Sequence, residues 1–267
     1  LTLIVVLIAA LIWALPVIWI ISLSLQPNDL LQKSTDNTAW GFIPYPFTIE
    51  NYGLLWKANF LEWFINSALV AITMTFFATF LCSLSGYAFA RIDFFGKKVI
   101  YPIVLAGLII PGEILFIPLF TQFSTLGINN SYIGLILPRL AIPFGVFVMT
   151  QYYKGVPREV EEAAIIDGAN RIQIYFKIMI PLSIPALITV AIVTFGFAWN
   201  DYLWPIISVS TTEMRTLQVG LALQVGARMS EYMGTSLAGV IVSSIPTIIL
   251  LIYIQKYLLR GFAIGTK

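Results

Sequence analysis

Histidine is absent from this sequence, and cysteine and charge are scarce. With no histidine among 267 residues, the commonest general base, the commonest metal ligand and a Ser-His-Asp triad are all excluded. The single cysteine, Cys82, excludes a disulfide within these residues. Charged residues make up only 10% of the total and the net charge is +2, so nothing favours a nucleic-acid partner. We therefore expect no metal site and no nucleic-acid binding.

Motifs for nucleotide and ester chemistry are absent as well. The Gly96-Lys97 pair lacks the upstream glycine and the following serine or threonine of a phosphate-binding loop. No Gly-x-Ser-x-Gly elbow occurs. We predict that the chain is not itself an enzyme and holds no cofactor. Any uphill transport would need an energy source on another subunit.

Apolar residues make up 59% of the sequence, and the mean hydropathy is +0.90. A soluble domain is about half apolar and about a quarter charged, so this balance predicts a membrane protein. A spanning helix needs about 20 mainly apolar residues. Six such runs occur, at residues 1–25, 63–90, 99–123, 131–153, 178–200 and 232–255. We predict one all-α, polytopic transmembrane domain over residues 1–267, with a polar loop at 154–181.

Lysine and arginine are shared unequally between the two sets of connecting segments. One set holds Arg91, Lys97, Lys98, Lys154, Arg158, Arg171, Lys177, Lys256, Arg260 and Lys267. The other set, in two much longer loops, holds Lys33, Lys57, Arg215 and Arg228. The positive-inside rule therefore places the first set, and both termini, in the cytoplasm.

The first external loop, at residues 26–62, is rich in aromatic residues and proline. These residues are Trp40, Phe42, Pro44, Tyr45, Pro46, Phe47, Tyr52 and Trp56. Two explanations stay open: an interfacial belt that seats the helices in lipid, or a docking surface for an extracytoplasmic partner.

Residues 159–185 form a polar stretch in an otherwise apolar chain. Pro157 suits the first position of a helix, and the glutamates that follow it favour the helix N-terminus. Gly168 suits a left-handed stop, and Asn170 can cap a second helix. The pattern predicts a helix–glycine–helix elbow on the cytoplasmic side. Four acids between Glu159 and Asp167 argue against a helix that touches only lipid, which would carry a basic polar face.

Helical spacing predicts one apolar face on each helix of this elbow. On the first helix it groups small residues, which permit close approach: Val160, Ala163 and Ala164. On the second helix it groups larger residues: Ile172, Tyr175, Phe176 and Met179.

Glu113 and Arg139 are the two charges predicted to lie at membrane depth. A charge there is costly unless it is paired or hydrated. One explanation is a buried pair of the two side chains, or an Arg139 that snorkels. The other is a polar lining of a translocation path, in which Arg139 favours an anionic or polyhydroxylated solute.

The outer end of the fifth predicted span combines aromatic rings with polar groups. The residues are Trp199, Asn200, Asp201 and Tyr202. Aromatic rings stack on the C–H faces of sugars while amide and carboxylate groups bond to hydroxyls, so this group is a second candidate for the translocation path. Tryptophan and tyrosine are also common at lipid interfaces, which is the alternative.

The polar stretch resembles the EAA loop of ABC importer permeases. The matching positions are Glu162, Ala163, Ala164, Gly168, Ile178, Ile180 and Pro181, with Ile180 where leucine is usual. Other segments look like the carbohydrate-uptake members of this family, similar to the shorter maltose-type permease subunit. They are Asn51-Tyr52, Asn66-Ser67, Gly86-Tyr87-Ala88 with Arg91, Trp199-Asn200-Asp201 and Gly261.

The resemblance implies a type I ABC importer transmembrane fold in a bacterial or archaeal plasma (inner) membrane. Its implied partners are a homologous second permease, two ATP-binding subunits that carry ATP and Mg²⁺, an extracytoplasmic solute-binding protein and membrane lipid. The implied coupling residues are Glu161, Glu162, Ala163, Ala164, Asp167, Gly168 and Ala169. The 201–231 loop is a candidate to reach into the binding protein.

We expect the solute to be a sugar or an oligosaccharide. A polyamine, phosphate or peptide importer of the same architecture stays an alternative, as does a secondary carrier that needs no ATPase.

Overall fold

The computed structural model describes residues 2–33, 42–56, 59–228 and 232–264, and the regular elements of these residues are all helical. The α-helices in chain order are α1 Thr2–Ser24, α2 Asn28–Lys33, α3 Glu50–Leu55, α4 Phe60–Arg91, α5 Lys97–Ala106, α6 Phe116–Thr125, α7 Tyr132–Ile136, α8 Pro143–Gly155, α9 Glu159–Ile166, α10 Arg171–Ile174, α11 Ile180–Leu182, α12 Ile184–Asn200, α13 Leu203–Ser208, α14 Leu217–Arg228 and α15 Met233–Ile264. Four residues placed in loops by the sequence lie outside the described residues: Trp40, Lys57, Glu231 and Lys267.

Three of the described helices are long and apolar enough to cross a membrane. They are Leu3–Ser24, Phe60–Arg91 and Met233–Tyr253. Two bent pairs also qualify when each is taken as one span: Tyr132–Arg139 with Pro143–Gly155, bent by 48°, and Arg171–Leu182 with Ile184–Asn200, bent by 76°. These five stretches correspond to the first, second, fourth, fifth and sixth predicted spans.

The third predicted span, residues 99–123, forms no continuous helix. Helix α5 ends at Ala106 with Gly107 as C-cap, and a 3₁₀ turn at Gly112–Leu115 precedes α6. Pro111 separates the two with extended backbone, since proline offers no N–H for a helical bond. The prediction of six spans therefore stays a prediction.

The fold divides into two compact units. The first combines Leu1–Ser67 with Ser210–Ile249, and the second combines Ala68–Val209 with Leu250–Lys267. The division falls within α4 and within α15, so each of these helices contributes residues to both units. The prediction of a single transmembrane domain is not tested by this division and stays a prediction.

In the first unit a buried asparagine joins the end of α1 to α2 and α15. Asn51 Nδ2 donates to the carbonyl oxygens of Ser24, at 2.8 Å, and Gln26, at 2.7 Å. Its Oδ1 accepts from Asn28 Nδ2 at 2.8 Å and from Thr235 Oγ1 at 3.3 Å. The amide thus uses both its donors and its acceptor. Four separate backbone segments are held together at this point.

The start of α4 is fastened to the segment that precedes and begins α14. Trp63 Nε1 donates to the carbonyl oxygen of Thr212 at 2.9 Å, and Asn66 Nδ2 donates to that of Glu213 at 2.6 Å. The indole lies so close to Gly220 that a Cβ there would collide with the ring. Only glycine permits this approach of α14 to α4.

The core of the second unit lies between α4, α8, α12 and the π-turn at Tyr175–Met179. Cys82, Met149, Tyr153, Met179 and Val190 are buried in it, each at most 1% exposed. The polar loop is anchored in this core, because residues at both of its ends, Val156 and Ile180, pack against it.

Candidate functional site

The first helix of the predicted elbow is α9. It begins at Glu159 with Arg158 as N-cap, so Pro157 precedes the helix instead of occupying its first position as predicted. Glu159, Glu161 and Glu162 lie in the first turn, where the partial positive charge of the helix N-terminus favours them.

The predicted glycine stop and second cap are both confirmed. Gly168 has φ +84°, in the left-handed region that glycine adopts without strain. The Asn170 side chain accepts from the Gln173 N–H at 2.9 Å, and the Gln173 side chain accepts from the Asn170 N–H at 2.9 Å. This reciprocal capping box starts α10.

Helix α9 has one face towards the protein and one open face. Ala164 is buried and Val160 half-buried, whereas Ala163, predicted on the same face, is exposed. The exposed residues of α9 and the turn after it combine acids with large apolar groups: Glu162, Ala163, Ile165, Ile166, Asp167 and Gly168. Ile166 is 86% exposed. We call these six residues the coupling surface.

A cavity of about 250 Å³ adjoins the coupling surface. Its lining combines the elbow with the π-turn that follows: Asp167, Gly168, Ala169, Gln173, Lys177 and Ile178. Charged and apolar groups therefore surround a concave site next to the exposed isoleucines.

The predicted shared face of the second helix is wrong. Tyr175 and Met179 are buried, but Ile172 is 70% and Phe176 51% exposed. Helix α10 ends at Ile174 and a π-turn follows at Tyr175–Met179, so the α-helical spacing on which the prediction rests does not hold across these residues.

Glu161 faces away from the coupling surface and pairs with Arg91, the last residue of α4. Glu161 Oε1 lies 2.9 Å from Arg91 Nε, and the side chains are 13% and 6% exposed. The Tyr87 hydroxyl donates to Glu161 Oε2 at 3.4 Å, and Arg91 Nη2 donates to the Val156 carbonyl oxygen. We call Arg91 and Glu161 the coupling pair. The sequence did not predict this pairing, although Arg91 stands in one of the matching segments and Glu161 among the implied coupling residues.

Arg139 pairs with Asp201, not with Glu113. Arg139 Nη2 lies 2.9 Å from Asp201 Oδ2, and the guanidinium lies over the Phe116 ring at 5.3 Å. Arg139 follows α7 at a helix break, and Asp201 separates α12 from α13. We call Arg139 and Asp201 the helix-break pair. Glu113 is exposed in the 3₁₀ turn before α6.

The other predicted translocation-path residues have different surroundings. Trp199 is 2% exposed and stacks on Phe195 with a 12° angle between the rings, so no open face remains for a sugar in this conformation. Asn200 is exposed, but its Nδ2 donates to the Gly196 carbonyl oxygen at 2.8 Å. Tyr202 is half-buried.

Trp204 has a structural role that the sequence did not predict. Its Nε1 donates to the Gly134 carbonyl oxygen at 2.9 Å, and its ring packs against Phe116 and Phe123. It thereby joins α13 to α7 and supports Phe116 beneath Arg139.

Membrane-length helices and an exposed polar elbow define a helical membrane protein. The chain belongs to the family of binding-protein-dependent transport system inner membrane components, whose model matches residues 78–264. It is therefore the inner-membrane permease of an ABC importer and not its ATPase, as predicted.

Relatives in this family match nearly the whole chain. The arabinooligosaccharides transport system permease protein of Halalkalibacterium halodurans is 35% identical, covering 96% of this chain and 91% of the relative. The trehalose transport system permease protein of Mycobacterium tuberculosis is 32% identical, covering 94% of this chain and 91% of the relative. The trehalose/maltose transport system permease protein of Thermococcus litoralis is 31% identical, covering 96% of this chain and 92% of the relative. The resemblance to carbohydrate-uptake permeases is confirmed.

A solved structure supports the fold independently. It is a bacterial ABC transporter involved in the import of the acidic polysaccharide alginate, matched with a TM-score of 0.84 and 24% identity. The match covers 96% of this chain and 94% of that chain. The predicted all-α importer fold is therefore confirmed.

Proposed function

We propose that this permease moves a sugar or an oligosaccharide inward, driven by ATP hydrolysis on separate subunits. The proposal is supported by the names of its relatives, which refer to arabinooligosaccharides, trehalose and maltose. In the proposed complex it pairs with a homologous second permease, sits on two ATP-binding subunits that hold ATP and Mg²⁺, and receives solute from an extracytoplasmic binding protein. Both termini lie in the cytoplasm.

The observation that carries the energy-coupling part is the coupling surface on α9. Exposed apolar side chains such as Ile165 and Ile166, beside the acids Glu162 and Asp167, suit a protein partner better than water or lipid alone. The left-handed Gly168 turns the chain sharply after this helix, which leaves it as a projecting element. An ATPase subunit docked here would swing the helices between inward-facing and outward-facing states.

The helix-break pair supports a polyhydroxylated solute over an anionic one. The sequence left both open, because Arg139 was considered without a partner. Paired at 2.9 Å with Asp201, its charge is compensated, while the two half-buried groups offer donors and acceptors together. Such a mixture suits the hydroxyls of a neutral sugar. We place this pair, with the exposed Asn200, on the proposed translocation path.

Reconstitution of the complex tests the coupling assignment. Glu162→Lys and Gly168→Asp are expected to abolish co-purification of the ATPase, because one reverses a charge on the coupling surface and the other forces a side chain onto a left-handed turn. The matched control is Asp93→Lys, a charge reversal at a side chain that is 97% exposed and outside α9. Full ATP-dependent uptake by both α9 variants would contradict the assignment.

Solute identity needs a separate experiment. Thermal shifts of the cognate binding protein against mono-, di- and oligosaccharides should identify a stabilising sugar, which ATP-dependent uptake into proteoliposomes would then confirm. Stabilisation by a polyamine, phosphate or peptide alone would contradict sugar import and leave the importer assignment standing.

A further inference from the structure

The backbone leaves the helical conformation at both ends of α9. Before α9, Val156 has extended backbone, with φ −72° and ψ 132°. After it, Gly168 is left-handed. Because helical hydrogen bonding is interrupted on both sides, the backbone alone does not hold α9 rigidly against the spans. Side-chain contacts must supply that rigidity.

Arg91 supplies two of these contacts at once. Its guanidinium faces Glu161 on α9 at 2.9 Å and also donates to the Val156 carbonyl oxygen in the connection before α9. A planar guanidinium with five N–H donors suits this double role, which a lysine ammonium serves less well. One residue at the end of α4 thus holds both the helix and its entry.

Tyr87 continues this connection into the core. Besides its bond to Glu161, its ring packs on Tyr153 of α8 and Tyr175 of the π-turn, with centroids 5.8 and 5.2 Å apart. The Tyr175 hydroxyl donates to Ser83 Oγ at 2.9 Å, and the Tyr153 hydroxyl lies 2.7 Å from the same oxygen. These groups tie α4, α8 and both sides of α9 into one packed block.

The residues of α9 are thereby divided by role. Glu161 and Ala164 face the block, whereas Glu162, Ile165 and Ile166 face outward. A partner could bind the outward face without disturbing the inward contacts. Force applied to one face would reach α4 through the other.

We propose that Arg91 and Tyr87 are positioning residues that join α9 rigidly to α4, so that movement of a docked ATPase subunit moves the span and not merely the loop. This inference rests on the proposed docking of an ATPase on the coupling surface. It assigns a function to two residues of α4 that lie outside both the coupling surface and the helix-break pair.

The test compares solute transported per ATP hydrolysed in the reconstituted importer. Arg91→Gln removes the charge. We expect the complex to remain intact, with its ATPase subunits bound and hydrolysing ATP, but to transport about tenfold less solute per ATP. Tyr87→Phe removes only the hydroxyl and should lower the ratio about twofold. Arg91→Lys, which keeps the charge, should restore part of the loss. Asp93→Asn breaks the exposed Lys97–Asp93 pair on the neighbouring loop and should leave the ratio unchanged.

A wild-type ratio in Arg91→Gln would overturn the inference and leave the proposed function intact. Loss of the ATPase from that complex would overturn it too, because Arg91 would then serve docking. If Arg91→Gln yields no folded complex, the Tyr87→Phe variant tests the inference instead. An unchanged ratio of solute transported to ATP hydrolysed in Tyr87→Phe would then contradict it. A wild-type complex without ATP-dependent uptake would instead contradict the proposed function itself.

Discussion

The coupling pair and the helix-break pair are alike in composition and separation but differ in their surroundings. Each places an arginine nitrogen 2.9 Å from a carboxylate oxygen. The side chains of Arg91 and Glu161 are 6% and 13% exposed, those of Arg139 and Asp201 31% and 17%. Tyr87 also donates to Glu161 Oε2 and Arg91 Nη2 to the Val156 carbonyl oxygen, whereas Arg139 lies over the Phe116 ring and Asp201 Oδ1 accepts from the Trp204 N–H.

The difference shows how one ionic contact can serve two purposes. A buried pair with additional partners leaves few alternative arrangements, so it fixes two elements relative to each other. A half-buried pair keeps part of its polar surface open to a further group. We therefore assign the coupling pair to force transmission and the helix-break pair to the translocation path.

The largest effect is expected at the coupling pair. Arg91→Gln should lower the free energy of unfolding by about 3–5 kcal/mol, because it leaves Glu161 buried and unpaired. Urea unfolding in detergent micelles measures this. The double variant Arg91→Gln/Glu161→Gln should recover part of the loss, since no unpaired charge remains. A double variant less stable than Arg91→Gln would contradict the explanation.

The hydroxyl cluster beside the coupling pair should give the next effect. Tyr153→Phe removes a buried hydroxyl that lies 2.7 Å from Ser83 Oγ and 3.1 Å from Ser183 Oγ. The expected loss is about 1–3 kcal/mol, because buried polar partners lose a bond. Tyr152→Phe is the matched control: its hydroxyl donates to the Leu182 carbonyl oxygen at an exposed position and should matter less. Equal losses would argue against a special role for the cluster.

A smaller change in stability is expected at the helix-break pair. Arg139→Gln should cost less than Arg91→Gln, because the Arg139 side chain is 31% exposed and that of Arg91 6%. Its main effect should be a higher apparent KM for solute in the uptake assay. Arg139→Lys keeps the charge near Asp201 but loses the planar contact over Phe116, so it separates the two interactions. An Arg139→Gln variant that is less stable but transports normally would show that the helix-break pair is structural and would contradict its assignment to the translocation path.

The smallest effect is expected at an exposed pair. Lys97 Nζ lies 3.2 Å from Asp93 Oδ1, but the aspartate side chain is 97% exposed. Asp93→Asn should change neither the unfolding midpoint nor transport measurably, since exposed pairs contribute little. A clear loss in either measurement would show that side-chain exposure does not predict how much each of the three ion pairs contributes.

Local chemistry made part of the elbow predictable. The stop at Gly168 and the cap at Asn170 depend on the conformation of one residue and on bonds to its neighbours, and both were predicted from residue type. The face that was to contain Ile172 and Phe176 was not predicted correctly, because a π-turn replaces the α-helix from Tyr175 onward and residue spacing does not indicate it.

The partners of the charged side chains depend on contacts between distant parts of the chain. The predicted helices indicated Glu113 as a partner for Arg139, but in the folded chain Arg139 pairs with Asp201. Likewise, Glu161 meets Tyr87 across 74 sequence positions. Such pairings depend on how helices pack and where they break, which residue spacing does not specify.

The sequence by itself determined that the chain is helical, membrane-embedded and without nucleotide motifs of its own, because composition and apolar runs govern transfer into lipid. It also located the polar elbow, through glycine and capping chemistry that acts over a few residues. Only the tertiary structure decided that Arg91 holds the elbow and that Asp201 compensates Arg139. Those contacts form when helices distant in sequence bring charged groups together away from water, where an unpaired charge would be costly.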